Sequence, residues 1–241
     1  MSLLEVRGLT KRFGGFVAVD GVSFDVEEGT VFGVAGPNGA GKSVLFATVS
    51  GFYRPERGEV RFAGESIAGR RPHSICRAGL SRTFQTPILF HSMSVEDNLV
   101  VGARFGNTDG ADLVPELLEL LELGSVADRQ ATNLDLFTTK KVVLGAALAT
   151  APRLLLLDEP MAGFSHHEIE SYRALIEAIR RERSVTVIII EHLLDVLIGI
   201  SDRMLVLNYG EVLFEGDPEE VRSHPEVVEV YLGGAAEGEG E

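Results

Sequence analysis

A chain of 241 residues, 45% of them hydrophobic, is long enough for one large domain or two small ones and can supply a sizeable core, which excludes a disordered or fibrous protein. The formal charge of −14 sets the chain against nucleic-acid backbones and anionic lipid surfaces, so no nucleic-acid partner is expected and membrane association should run through another protein. A single cysteine, Cys76, excludes an internal disulfide framework and fits a reducing cytoplasm.

The chain opens without the build of a signal peptide, and no apolar run approaches the roughly 20 residues of a membrane span. Residues 3–6 and 22–26 alternate apolar and polar side chains, and residues 59–62 lie between glycines, so the pattern predicts a small antiparallel sheet. Between them, Val31-Phe32-Gly33-Val34-Ala35 is nearly continuous in apolar character, as expected of a strand buried on both faces of a parallel sheet. From about residue 94 to 150 the character turns helical, with Leu113, Val114, Leu117, Leu118 and Leu121 at helical spacing. Apolar strands at 154–157 and 185–190 then flank a helix whose apolar face is Ile169, Tyr172, Leu175, Ile176 and Ile179, the mark of a βαβ unit. Strands at 204–207 and 212–214 precede a helix opened by Asp217 as N-cap and Pro218 in its first turn. Residues 233–241, all Gly, Ala or Glu, read as a frayed acidic tail.

Two stretches carry chemistry. Gly36-Pro37-Asn38-Gly39-Ala40-Gly41-Lys42-Ser43 satisfies G-x-x-x-x-G-K-[ST] and stands after the buried strand and before a helix, where a phosphate-binding loop must stand. Its glycines let backbone N–H groups curl around phosphates, a helix N-terminus adds positive potential, Lys42 reaches β and γ phosphates and the Ser43 hydroxyl coordinates Mg²⁺. Farther on, Leu154-Leu155-Leu156-Leu157-Asp158-Glu159 ends a buried strand in two carboxylates, at the edge where open α/β sheets bind ligands. Asp158 can hold Mg²⁺, and Glu159 can polarise an attacking water as general base. The adjacent His166 and His167 point in different directions on a helix and read as surface residues.

Together these motifs resemble the ABC ATPase family over essentially the whole chain. The resemblance implies a single ABC ATPase domain over 1–241: a P-loop NTPase (RecA-like) α/β core with an antiparallel β subdomain, over 1–85 and 151–232, and a helical subdomain over about 86–150. It implies that Gln85, in Arg82-Thr83-Phe84-Gln85, contacts Mg²⁺ or the attacking water, that His192 contacts the γ-phosphate, and that Phe13 stacks on adenine, with position 18, which is Ala18, and Val44 also at the nucleotide. The cofactors implied are ATP and Mg²⁺. The partners implied are membrane-spanning permease subunits and a second ATPase subunit, in a heterodimer or a homodimer, at the cytoplasmic face of the plasma membrane. Among ABC ATPases the chain is most similar to branched-chain amino-acid importers, through Ser81-Arg82-Thr83-Phe84-Gln85, Gly199-Ile200-Ser201-Asp202-Arg203 and the run from His224 to Gly233. These are features of kinship without catalytic content.

The chain also departs from the family. The signature Leu-Ser-Gly-Gly-Gln, which faces ATP bound to the other subunit, is replaced by Leu134-Asp135-Leu136-Phe137-Thr138. Asp135 would bring a carboxylate to that phosphate, and Leu136 and Phe137 would fill the space glycine leaves open, with Thr138 or Thr139 as substitute hydroxyls. Ala162-Gly163-Phe164-Ser165 lacks the usual aspartate, and Val44 stands where a threonine commonly follows the loop serine. The function expected is ATP hydrolysis energising an importer of amino acids or related small solutes. The alternative is a chain that holds ATP without turning it over, as the regulatory partner in an asymmetric heterodimer.

Overall fold

The computed structural model describes residues 2–106 and 110–233. In chain order these form β1 (Ser2–Phe13), β2 (Phe16–Glu27), β3 (Val31–Ala35), α1 (Lys42–Val49), β4 (Arg57–Phe62), β5 (Glu65–Ser66), α2 (Pro72–Arg77), β6 (Leu80–Arg82), α3 (Val95–Phe105) and α4 (Val114–Leu120). There follow α5 (Leu136–Leu148), β7 (Leu154–Asp158), α6 (His166–Arg183), β8 (Thr186–Ile190), α7 (Leu194–Ile198), β9 (Arg203–Asn208), β10 (Glu211–Gly216), α8 (Pro218–Val221) and α9 (Pro225–Gly233). Apart from Gly233, the acidic tail expected over 233–241 lies outside the described residues. Among the described residues no helix is long and apolar enough to cross a membrane.

The chain divides into two compact units, Met1–Arg70 with Ile188–Glu241, and Arg71–Val187, and β8 runs across the division. In the first unit β1 pairs antiparallel with β2, Val6 facing Phe24, and with β4, Val6 facing Val60. Leu4, Val6, Phe24, Val26, Val60 and Phe62 are all buried, so the alternation read from the sequence marks the core face. β1 and β2 run longer than the alternation suggested, because register shifts beside Gly8 interrupt the pattern without ending the pairing. Elsewhere in this unit β3, buried at every residue, pairs in parallel with β9 from Phe32–Arg203 to Ala35–Val206. β9 turns back into β10 through Tyr209 and Gly210, both at positive φ (48° and 85°), the backbone a tight hairpin turn requires. Asp217 caps α8 as its spacing predicts, accepting from the Glu219 N–H at 2.8 Å.

In the second unit β6 and β7 pair in parallel, Arg82 facing Leu156. Helix α3 starts at a capping box in which Ser94 and Asp97 exchange side-chain to backbone bonds, and α6 starts at another, between Ser165 and Glu168. Buried Ile169, Tyr172, Ile176 and Ile179 give α6 its core face, with Leu175 at the margin. Helices α3 and α5 pack closely because Gly102 has no side chain: a Cβ there would strike the backbone of Ala146.

Candidate nucleotide site

The first unit carries the glycine-rich loop. β3 delivers the chain at Ala35 and α1 takes it up at Lys42, so the loop is fixed at both ends by regular structure. Gly36, Gly39 and Gly41 all adopt positive φ (146°, 81° and 102°), which other residues rarely do. Gly36 and Gly41 also lie against backbone: a Cβ would collide with the Leu207 carbonyl in one case and the Ala18 carbonyl in the other. Ala18, itself buried, therefore supports the loop from behind. Lys42 is 7% exposed, and its ammonium is held at 2.6 Å from the Gly36 carbonyl and 3.0 Å from that of Pro37, so it lies folded over the loop's own rim. Asn38, Gly39 and Ser43 are exposed, Val44 is half-buried, and Ala40 is buried beneath the turn, donating to Pro37 at 3.2 Å and accepting from Gly210 at 3.0 Å.

Three further side chains of this unit matter. Phe13, at the end of β1, is 43% exposed, with its ring edge-on to Tyr53 at 5.1 Å and the Lys11 ammonium 5.1 Å from its centroid. His192 follows β8 and is exposed, its Nδ1 3.8 Å from a carboxylate oxygen of the fully buried Glu191. Tyr231 of α9 accepts the Gly36 N–H at 2.8 Å through its phenol oxygen.

The second unit carries the carboxylates. Asp158, the last residue of β7, is buried and accepts Arg82 Nη2 at 2.8 Å, and the Arg82 guanidinium also lies 5.0 Å over the Phe84 ring. Glu159 follows at φ 47°, a left-handed conformation that costs a non-glycine residue energy and persists where the surroundings impose it. Those surroundings are visible: Lys140 of α5, nearly buried, donates to the carbonyls of Glu159 at 3.1 Å and Ala162 at 2.8 Å. Gln85 Nε2 donates to Glu159 Oε2 at 2.7 Å, so the structure brings together the two residues assigned to the attacking water.

The start of α5 differs in detail from the sequence reading. Asp135 is the N-cap, with one carboxylate oxygen accepting the Thr138 N–H at 2.8 Å and the other the Thr138 hydroxyl at 2.9 Å. The Thr138 backbone N–H, with help from its hydroxyl, holds the Asp135 carboxyl below the usual aspartate range, so the cap stays ionised. Phe137 follows in the first turn of α5. Its ring turns inward, edge-on to Phe164 at 5.1 Å and Tyr172 at 6.3 Å, because a large ring gains more by packing there than in solvent. Leu136 alone of the apolar pair stays outside, 44% exposed. Thr138 is no spare hydroxyl, since it serves Asp135.

Sequence reasoning did not assign roles to Arg82, Lys140 or Tyr231, whose hydrogen bonds hold Asp158, Glu159 and Gly36. Arg82 and Tyr231 lie in stretches that mark kinship, and that was their only signal; a lysine six residues past a signature position carried none.

A strand, a glycine-rich loop and a helix, with a buried strand ending in Asp158 and followed by Glu159, define a P-loop ATPase with an added antiparallel sheet and helical region. The comparisons agree: the ABC transporter profile matches residues 19–162, and the chain belongs to that family as an ATP-binding, ATP-hydrolysing subunit. A second profile, described as a branched-chain amino acid ATP-binding cassette transporter, matches residues 211–237. The chain is 39% identical to the high-affinity branched-chain amino acid transport ATP-binding protein BraF of Pseudomonas aeruginosa, over 97% of this chain and 98% of that protein. It is 35% identical to LivG of Escherichia coli, of the same description, over the same shares. Among solved structures, an ATP-binding cassette of an ABC transporter in its ADP conformation superposes with a TM-score of 0.90 at 32% identity, covering 97% of this chain and 99% of that one.

Proposed function

We propose that this chain energises an importer for branched-chain amino acids or related small solutes, working at the cytoplasmic face of the plasma membrane through permease subunits. The match of residues 211–237 to a branched-chain amino acid cassette profile carries the solute class, and the names of the relatives support it. ATP-driven uptake of leucine, isoleucine and valine by the assembled transporter in proteoliposomes tests this. Uptake of none of the three, with ATPase activity intact, would assign the chain to another solute.

In the proposed mechanism, backbone N–H groups of the loop from Gly36 to Gly41, with Lys42, cradle the β and γ phosphates, while Phe13 stacks on adenine with Ala18 and Val44 nearby. Ser43 of the first unit and Asp158 and Gln85 of the second each carry an oxygen donor of the kind Mg²⁺ takes and would be its ligands, and the ion would neutralise charge on the phosphate oxygens. Glu159 accepts a proton as the water oxygen bonds to the γ-phosphorus, the bond to the bridging oxygen breaks, and ADP and phosphate result. Gln85 orients Glu159 and the water, and His192 donates to the γ-phosphate. The raised strain at Glu159 and its clamp by Lys140 favour this turn as built for that purpose.

We also propose that the partner ATPase subunit is a different chain. The start of α5 favours this reading: an ionised Asp135 and an exposed Leu136 replace the serine and glycine that would donate to a γ-phosphate bound across a dimer. Lys42, Asp158, Glu159 and His192 of this chain then work against the partner's intact signature. The partner's own site, facing Asp135, stays slow. Asp135→Ser with Leu136→Gly should raise turnover at the partner's site; no change in the assembled transporter would count for a homodimer that does not use the signature.

A further inference from the structure

We infer that Tyr231 is a positioning residue of the ATP site, and that helix α9 is the back wall of the phosphate loop. The inference rests on the loop binding phosphate, and it gives a role to a C-terminal stretch that otherwise marks only kinship. Gly36 is the first residue past β3 and is buried, and it is clamped through both of its peptide groups. Its N–H is donated to the Tyr231 phenol oxygen at 2.8 Å, and its carbonyl accepts the Lys42 ammonium at 2.6 Å. The space where its side chain would be is taken by Leu207 and Ala40. Three contacts thus fix one residue, and the lysine that must meet the phosphates hangs from it.

α9 is held in place for this purpose. Val227, one turn before Tyr231 and on the same helix face, is 1% exposed, and His224, just ahead of the helix, packs edge-on against Phe214 of β10 at 5.2 Å. Tyr231 therefore reaches the loop from a helix tied into the same unit. Burial pushes its phenol pKa up, with the Gly36 bond opposing, so the group meets the Gly36 N–H as a neutral phenol whose oxygen accepts. Without the phenol oxygen, a buried N–H loses its acceptor, and the loop must find another partner for it or change shape. Either response moves the Gly36 carbonyl and the ammonium resting on it.

Tyr231→Phe keeps the ring and its packing and removes only the hydroxyl, and with it the acceptor of the Gly36 N–H. Calorimetric titration of the full chain with Mg-ATP should show affinity weakened about fivefold or more. In the assembled transporter the loss should appear mainly as a raised KM for ATP, with a smaller fall in kcat. Hydrogen exchange in the wild-type chain should show a protected Gly36 amide, exposed in the variant. Unchanged ATP affinity in Tyr231→Phe overturns the inference, whether or not the melting temperature falls, and so does an unprotected Gly36 amide in the wild type. Lys42→Ala separates this from the underlying reading. If it weakens binding and Tyr231→Phe does not, only the inference fails; if neither does, the phosphate-loop assignment fails with it.

Discussion

The phosphate loop and the start of α5 are both helix N-termini suited to an anion, and the chain treats them in opposite ways. At the loop, glycines stand at each tight position, and the only charged side chain is a lysine resting on carbonyls. At α5, a carboxylate already caps the helix, so the donors that could meet a phosphate are spent inside the chain. An N-terminus occupied by its own aspartate is a finished structural element, whereas one lined by glycine and lysine is an open receptor. On the proposed dimer, the difference separates what the chain does with its own ATP from what it offers to a partner's.

That contrast can be attacked first at the carboxylate turn. Glu159→Gln keeps shape and hydrogen bonding but loses basicity, so turnover by the assembled transporter should fall by about 100-fold or more while ATP still binds. Wild-type turnover in that variant would remove Glu159 as the base. At the loop, Lys42→Ala should weaken Mg-ATP binding on the order of 100-fold by calorimetry, since charge-assisted bonds to phosphate are lost. A change of less than about threefold would show that the loop is not the receptor.

Smaller effects sharpen the account. Lys140→Met leaves an aliphatic stem of similar length but no donor for the Glu159 and Ala162 carbonyls. We expect kcat to drop by about tenfold with ATP affinity retained and partial rescue by Lys140→Arg; equal loss in both parameters would mean a general fault in folding. Asp135→Ala should cost about 1 kcal/mol of stability, the usual worth of an N-cap, without weakening ATP binding by the isolated chain. The sign of its pH dependence follows from the depressed carboxyl pKa: the cap's contribution is present above the ordinary aspartate value, about 3.9, and is lost as pH falls through the lower folded value. Acid unfolding of Asp135→Ala should accordingly depend less on pH in that range than wild type.

Residues that act through local backbone chemistry were legible from sequence. The bounds of β3, the glycine loop after it and the carboxylates closing β7 were read as they stand, because burial on both faces forces a continuous apolar run and a tight turn forces glycine. Residues that act through space were not. Tyr231 meets Gly36 across 195 positions, Arg82 meets Asp158 across 76, and Lys140 meets Ala162 across 22, and no periodicity connects partners so far apart. Phe137 was misplaced for a related reason. Its position in the motif pointed outward, but the ring's orientation is set by Phe164 and Tyr172, which enter from elsewhere in the chain.

On the heterodimer proposal this chain binds ATP competently but needs another subunit's signature to hydrolyse it. Steady-state ATP hydrolysis by the purified chain, alone and after addition of the partner ATPase subunit, tests that claim most directly. The account predicts slow, non-cooperative hydrolysis by a largely monomeric chain and strong activation on mixing. Vigorous, cooperative hydrolysis by the chain alone would contradict it and would establish a homodimer that works with Asp135, Leu136 and Phe137 in place of the signature.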